Sequence, residues 1–188
     1  MKAALFIATF LKTQGISHVF ELSGGMITHI LDAIAEVKGI DIITMHHEQG
    51  AAFAADGMGR VSNKPGVALA TSGPGATNLL TGIASCYFDS SPGLFITGQV
   101  NPNEQRGEKH IRQLGFQEVD IVTMALPIVK KAYKITSPDQ LPGVFAEAYE
   151  TAISGRPGPV LIDVPMDMQR AEIEPQRVFV GQQVDSHQ

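Results

Sequence analysis

Short apolar runs alternate with longer amphipathic segments along most of this chain, a pattern typical of α/β proteins. The apolar runs predict six strands, at His18-Phe20, Asp41-Met45, Gly66-Thr71, Leu94-Gly98, Lys131-Ile135 and Val160-Val164. The amphipathic segments predict helices at Ala3-Gln14, Met26-Val37, Gln49-Arg60, Pro74-Tyr87, Pro138-Ser154 and around Val119-Ala125. Strands separated mostly by helices predict a three-layer α/β/α fold with a six-stranded, mainly parallel sheet. A mixed sheet with one antiparallel edge strand is the alternative.

Polar or glycine-rich residues follow four of the predicted strands. In chain order they are Gly24-Gly25, Glu48, Ser72-Gly75 and Gln99. Because ligands of such sheets bind beyond the carboxyl ends of the strands, these residues predict a binding site at one edge of the sheet. Some also have a purely structural interpretation, since Gly24-Gly25 can cap the next helix and Gly73-Pro74 is a favourable helix start. Their common location favours a site.

Glu48 is the sharpest candidate for chemistry. It lies in the run His46-His47-Glu48-Gln49-Gly50, between a predicted strand and the alanine-rich helix Gln49-Arg60. Small residues on every face of that helix allow close packing, which would leave the acid with little water around it. A carboxylic acid in such surroundings can exchange protons near neutral pH. The alternative is an acid that only complements the dipole of its helix.

Composition and charge narrow the class of protein. The 188 residues are 44% hydrophobic, which is enough for one domain with a sizeable core. The net charge of -5 and the lack of basic runs argue against binding to nucleic acid or to an anionic membrane surface. The single cysteine, Cys86, excludes an internal disulfide and fits a reducing compartment.

The hydrophobic segments do not predict export or membrane insertion. No apolar stretch is long enough to span a bilayer. The apolar segment Ala3-Leu11 is followed by a polar last turn and Gly15, which predicts a buried first helix rather than a signal peptide. We therefore expect a cytoplasmic protein.

Several familiar motifs are missing from the sequence. Gly73-Pro74-Gly75-Ala76 lacks the third glycine of a dinucleotide fingerprint and the Lys-Ser/Thr of a P-loop. His46-His47-Glu48 lacks the i, i+4 spacing of a helical zinc site, so no metal ligands are predicted in this chain. Cys86 lies in an Ala/Leu-rich segment and is predicted to be a small core residue rather than a nucleophile.

Five segments together resemble a known family. They are the Glu48 run, Ser72-Gly73-Pro74-Gly75-Ala76-Thr77-Asn78-Leu79, Ile96-Thr97-Gly98-Gln99-Val100, Gly115-Phe116-Gln117-Glu118 and the stretch from Ser154 to Pro165. In this order and spacing they resemble the pyrimidine-binding (Pyr) domain of thiamine-diphosphate-dependent enzymes, closest to the acetolactate synthase large subunits. The resemblance covers about Lys2 to Gln169. It predicts a Pyr domain over residues 1–170 and a linker or tail over residues 171–188, toward a missing middle domain.

The resemblance implies roles for individual residues. Glu48 matches the family's catalytic glutamate, which hydrogen-bonds N1′ of the cofactor's aminopyrimidine and so promotes the C2 ylide that attacks a 2-oxo acid. The implied reaction is decarboxylation of one 2-oxo acid and carboligation to a second. Further matches are cofactor-binding positions, at Gly25, Pro74 and Asn78, and substrate-side positions, at Phe116 and Gln117.

The resemblance also implies that the site needs a second domain. In the family, diphosphate and Mg²⁺ are held by a PP domain through a Gly-Asp-Gly segment followed by Asn, and nothing in this chain matches it. A complete site therefore implies a homodimer or tetramer of a longer enzyme, or a separate PP-domain subunit. FAD is possible in a full-length enzyme of this group, but no residue of this chain argues for it.

The sequence leaves the substrate and some alternatives open. Leu22-Ser23, Gly93 and the charged stretch Asn101-Arg112 depart from the family's usual residues, so the identity of the 2-oxo acid is not predicted. One alternative is the Pyr subunit of a split 2-oxo acid decarboxylase such as sulfopyruvate decarboxylase. Others are a non-catalytic Pyr-fold dimerisation module and a Rossmann-type dehydrogenase domain.

Overall fold

A computed structural model describes residues 1–174, which contain one six-stranded parallel sheet. The strands are β1 (His18–Leu22), β2 (Asp41–Thr44), β3 (Gly66–Ala70), β4 (Gly93–Gln99), β5 (Lys131–Lys134) and β6 (Pro159–Pro165). Their order across the sheet is β2-β1-β3-β4-β6-β5, and every neighbouring pair is parallel. The predicted α/β fold is confirmed, and the antiparallel edge strand is not found in the sheet.

Helices cover both faces of the sheet. They are α1 (Ala3–Thr13), α2 (Thr28–Val37), α3 (Glu48–Ser62), α4 (Pro74–Asp89), α5 (Ile121–Ala125), α6 (Leu141–Ile153) and α7 (Met166–Arg170). The cores they form divide by face: α1, α2, α6 and α7 pack on one side, which we call the α1/α6 face, and α3, α4 and α5 pack on the other, the α3/α4 face. None of the helices within residues 1–174 combines the length and apolarity needed to cross a bilayer.

The two faces differ in the size of their side chains. Successive residues of β3 alternate between them, with Val67 and Leu69 in the α1/α6 core and Ala68 and Ala70 in the α3/α4 core. The α1/α6 core is built on large groups, including an edge-to-face contact of Phe10 with Phe145, whose ring centroids are 5.8 Å apart. Beneath α3, the α3/α4 face has much less side-chain volume between helix and sheet, although Phe95 and Leu161 belong to the same core.

Alanine and glycine on the α3/α4 face bring α3 almost into backbone contact with the sheet. A Cβ atom added at Gly66 would collide with the carbonyl oxygen of Ala55, and one added at Gly82 in α4 would collide with Ala52. Cys86 is fully buried in this core, as the sequence predicts. Helix α3 begins at Glu48, so this close packing also fixes the height of that residue above the sheet.

Some element boundaries differ from the predicted ones. Strand β1 continues past Phe20 to Leu22, although Glu21 is 1% exposed, because the Glu21 carboxylate accepts hydrogen bonds from the hydroxyls of Thr44 and Ser23. Buried acids need such partners. The predicted helices Met26-Val37 and Pro138-Ser154 both open with a single 3-10 turn before α2 and α6. Helix α7 was not predicted, since its five residues are too few to show a helical period.

The first and last described segments meet. The amide of Ala3 donates to the carbonyl of Ala171 at 2.9 Å, and the amide of Ile173 donates to the carbonyl of Met1 at 2.9 Å. Helix α1 is buried along its apolar residues, as expected for a core helix. The domain boundary at residue 170 remains a prediction, and the polar tail after Pro175 lies outside the described residues.

Candidate active site

The carboxyl ends of four adjacent strands, β2, β1, β3 and β4, form one edge of the sheet. β1 lies between β2 and β3, so the direction of the strand order reverses there. Such reversal points are where parallel sheets of this kind open a crevice for ligands. Gly24-Gly25, Glu48 and Ser72-Gly75 follow β1, β2 and β3, as the sequence predicts, and Gln99 is the last residue of β4 rather than the first residue after it.

Glu48 opens α3 immediately beyond the end of β2. The His47 ring caps the helix, because its Nδ1 accepts a hydrogen bond from the Gln49 amide at 3.1 Å. Glu48 is 7% exposed. Its Oε2 accepts a hydrogen bond of 2.9 Å from Nδ2 of Asn78, which lies one turn into α4. Two residues that were predicted separately are therefore joined in one hydrogen-bonded pair, which is partly buried.

The second oxygen of Glu48 is available to a ligand. Within residues 1–174 no donor pairs with Oε1. This oxygen lies 3.3 Å from the point where a Cβ of Gly75 would stand. Glycine at position 75 thus leaves space beside a buried carboxylate that uses only one of its two oxygens. Such an arrangement fits a ligand that presents a hydrogen-bond donor, such as a protonated ring nitrogen.

Thr71 was not predicted as a site residue, yet it links two loops of the site. Its Oγ1 accepts a hydrogen bond of 3.2 Å from the Met26 amide, in the loop that follows β1. Its side chain also packs against Gly24 and, with Cγ2 2.8 Å from the Cβ position, against Gly75. A polar residue directly after the fully buried strand β3 was the signal that could have identified it.

Gly25 and Pro74 lie where cofactor-binding residues were predicted. Gly25 starts the 3-10 turn before α2, and a Cβ added there would meet nothing within 4 Å, so its backbone borders open space. Pro74 is the first residue of α4 and follows Gly73, whose φ is 63°. The local interpretation of Gly73-Pro74 as a helix start is thus correct, and the same loop also borders Glu48.

Phe116 and Gln117 lie on the segment between β4 and α5. Gln117 packs against the start of α4, with its Cβ 2.6 Å from the Cβ position of Gly73. Phe116 is 74% exposed, which is unusual for a large apolar side chain. The structure therefore brings Gln117 to the α4 loop and leaves the Phe116 ring in solvent.

A buried polar cluster lies beside the predicted edge residue Gln99. Asp163 on β6 is 2% exposed, and its two carboxylate oxygens accept hydrogen bonds from the Thr97 hydroxyl at 2.7 Å and from Gln99 Nε2 at 3.2 Å. Burial raises the pKa of Asp163 to about 7, against the opposing effect of these two hydrogen bonds. Asp163 was missed because it stands within an apolar run that predicts only a core strand.

The other potentially reactive side chains within residues 1–174 do not form a second catalytic or metal site. Burial strongly raises the pKa of the Cys86 thiol, which makes it a poor nucleophile. Across the described residues, no three His, Cys, Asp or Glu side chains come together as a metal site. The chemistry available to the described part of the chain thus centres on Glu48.

The described residues form an α/β domain with a candidate ligand site, because the carboxyl edge of its parallel sheet carries a buried glutamate that has a donor at only one oxygen. Residues 1–124 match the family described as "Thiamine pyrophosphate enzyme, N-terminal TPP binding domain". The chain belongs to this family, which confirms the predicted resemblance and leaves no place for the dehydrogenase alternative.

Several relatives of the chain are named acetolactate synthases. The chain is 50% identical over 167 residues to the acetolactate synthase of Arthrospira platensis, an alignment that covers 87% of this chain and 28% of that protein. It is 44% identical over 177 residues to the acetolactate synthase isozyme 2 large subunit of Escherichia coli, covering 93% and 31%. It is 43% identical over 185 residues to the probable acetolactate synthase large subunit of Methanocaldococcus jannaschii, covering 98% and 30%. The chain thus spans less than a third of the length of these relatives.

Proposed function

We propose that this chain supplies the pyrimidine-binding half of the active site of an acetolactate synthase-like enzyme that acts on 2-oxo acids. The observation that carries the proposal is the Glu48 carboxylate, which is buried, anchored through one oxygen by Asn78 and, within residues 1–174, without a donor at the other. Such a group can hold a proton at a defined point and exchange it with a bound ring nitrogen. The names of the relatives support the reaction class.

The residues of the edge fit thiamine diphosphate. This cofactor supplies an electron sink for decarboxylation of a 2-oxo acid. Glu48 would hold or move a proton on the aminopyrimidine, and Asn78 would keep the carboxylate oriented. Gly25 would allow a ring to approach the backbone, because a Cβ added there would meet nothing within 4 Å. Pro74, the first residue of α4, would lie near the ring.

The other half of the site would come from a second polypeptide or domain. We propose a PP domain that binds the diphosphate and Mg²⁺, in a homodimer or tetramer or on a separate subunit. Exposed apolar side chains of the α3/α4 face support a partner there, since Phe53 is 45%, Phe88 67% and Met124 47% exposed. FAD in the complete enzyme and a cytoplasmic location also remain predictions.

Two alternatives make different predictions. A split decarboxylase would use the same Glu48 chemistry but would form no carbon–carbon bond between two 2-oxo acids. A non-catalytic dimerisation module would not need the Glu48 carboxylate at all. The names of the relatives favour the synthase over both.

The test is Glu48→Gln in the complete enzyme. Glutamine keeps an oxygen for the hydrogen bond from Asn78 but cannot exchange the proton. We expect turnover of a 2-oxo acid to fall by roughly a hundredfold or more, the range for loss of a proton-transfer group. Glu36→Gln, an exposed glutamate on α2, is the matched control and should leave turnover unchanged. Full turnover in the Glu48 variant would instead favour the dimerisation module.

A further inference from the structure

We infer that Gln99 and Glu118 are positioning residues that hold the segment Gly115–Val119 against the start of α4, and with it the exposed ring of Phe116. We further infer that Phe116 contacts the apolar part of a 2-oxo acid, and this part of the inference rests on the proposed function. The part that concerns how the segment is held does not depend on the proposed function.

The backbone of the segment is in a conformation that needs support. Gln117 has φ 59°, in the left-handed region that side chains other than glycine seldom adopt. Its Cβ and carbonyl oxygen lie 2.6 Å and 2.8 Å from the Cβ position of Gly73. Unfavourable conformations of this kind persist only where the surroundings determine them, and they cluster at functional sites.

Glu118 supplies the first support. Its Oε1 accepts a hydrogen bond of 2.8 Å from the Arg106 amide, and its Oε2 accepts one of 2.9 Å from the Leu114 amide. The Glu118 amide itself donates to the Gly115 carbonyl at 3.2 Å. One carboxylate thereby connects Arg106, in the middle of the charged stretch Asn101-Arg112, to Leu114, the residue just before the segment. Charge-assisted bonds to backbone amides are the stronger kind.

Gln99 supplies the second support from inside the protein. This side chain is 3% exposed, and its Nε2 donates to the Val119 carbonyl at 2.7 Å and to Asp163 Oδ2 at 3.2 Å. Its Oε1 accepts from the Val100 amide at 3.0 Å. Because acceptors surround the nitrogen and a donor faces the oxygen, the amide has one orientation. The end of the segment is therefore tied to the buried Asp163 cluster.

These contacts fix both sides of Phe116 while its ring stays in solvent. Gly115, just before it, is also in close contact, since a Cβ there would lie 2.8 Å from the Glu104 carbonyl oxygen. If the loop were free to move, burial of the apolar ring would be favourable and would draw the side chain inward. A ring held outward on a fixed backbone is pre-organised for an apolar ligand group, which lowers the entropic cost of binding.

Limited trypsin digestion of the intact protein tests how the segment is held. Arg106, Lys109 and Arg112 are exposed cleavage sites in the adjoining loop. We expect Glu118→Ala and Gln99→Ala to raise the cleavage rate there by roughly tenfold or more, because local opening controls cleavage. Glu108→Ala is the matched control, since this exposed glutamate of the same loop makes no side-chain hydrogen bond within residues 1–174.

Rates within twofold of wild type in both variants would overturn the inference. If the buried Gln99 variant fails to fold, Glu118→Ala decides alone, because Glu118 is only half-buried. This assay does not depend on catalysis. Its outcome therefore stands even if the complete enzyme shows no activity toward 2-oxo acids.

Steady-state kinetics of the complete enzyme test what the segment is for. We expect Glu118→Ala to raise KM for the 2-oxo acid by roughly tenfold with kcat changed less than threefold, since it disturbs a substrate contact and not the proton transfer. Glu118→Gln, which keeps one acceptor oxygen, should restore part of the loss. Unchanged KM despite faster cleavage would overturn the substrate-facing role. Loss of turnover in Glu48→Gln would support the proposed function. A raised KM in Glu118→Ala, with KM unchanged in Glu48→Gln, would separately support the role of the segment.

Discussion

Replacing Asp163 with asparagine should change how the stability of the protein depends on pH. The Asp163 carboxyl is 2% exposed, and its burial raises the pKa from the usual 3.8 to about 7. The folded state therefore binds a proton that the unfolded chain has released between these two values. That proton stabilises the fold fully below pH 3.8, and the contribution is lost as the pH rises through about 7.

The size of the effect follows from the shift. About three pKa units at about 1.4 kcal/mol each give roughly 4 kcal/mol in total. Between the two pKa values, the free energy of unfolding of wild type should fall by about 1.4 kcal/mol per pH unit more than that of Asp163→Asn, whose amide does not titrate. Above about pH 8 the difference should be constant.

Urea unfolding of both proteins at several pH values between about 5 and 8.5 measures this difference. Asp32→Asn, an exposed aspartate on α2, is the control and should follow wild type at every pH. The reasoning would be refuted if the difference in the free energy of unfolding between wild type and Asp163→Asn changed by less than about 0.5 kcal/mol over this pH range. It would mean that the hydrogen bonds from Thr97 and Gln99 offset the effect of burial completely.

Three further predictions concern the α3/α4 core. Gly82→Ala should lower the free energy of unfolding by about 2 kcal/mol in urea titrations, because the new methyl group collides with Ala52; unchanged stability would show that the helices can separate freely. Arg60→Met should cost about 2 kcal/mol and raise the pH midpoint of acid unfolding, because Asp56 is 4% exposed: burial raises its pKa, hydrogen bonds from Arg60, Ser91 and Ser85 outweigh that effect, and without Arg60 the pKa would rise. Cys86 should react with iodoacetamide only when the protein unfolds, and fast labelling of the native protein, followed by mass spectrometry, would contradict its burial.

The sequence predicted the number and the parallel direction of the strands, because buried apolar runs separated by helices carry that information, but it did not predict their order across the sheet. It also placed Glu48 at the carboxyl edge, since that residue follows a parallel strand, whereas Asn78 was indicated only by the family resemblance. It did not predict that these two side chains bond to each other, because a contact between residues 30 positions apart depends on how α3 and α4 pack.

Residues that act through neighbouring strands were not predictable from local patterns. The predicted strand ended before Glu21, because a charged residue is not expected inside a buried strand. Only the structure shows that the hydroxyls of Thr44 and Ser23 donate hydrogen bonds to this carboxylate. Asp163 and Gln99 pair across β6 and β4, and only the observed strand order makes them neighbours.

The α3/α4 face has a consequence for mutational tolerance. Where Ile, Leu and Phe side chains fill a core, one can be exchanged for another of similar volume at small cost. Where helix and sheet touch through Ala55 and Gly66, any larger residue must push the helix outward. Since Glu48 is the first residue of that helix, enlargement anywhere beneath it shifts the acid as well. A saturation mutagenesis screen should therefore find the α1/α6 face permissive, while on the α3/α4 face losses of stability and of activity coincide.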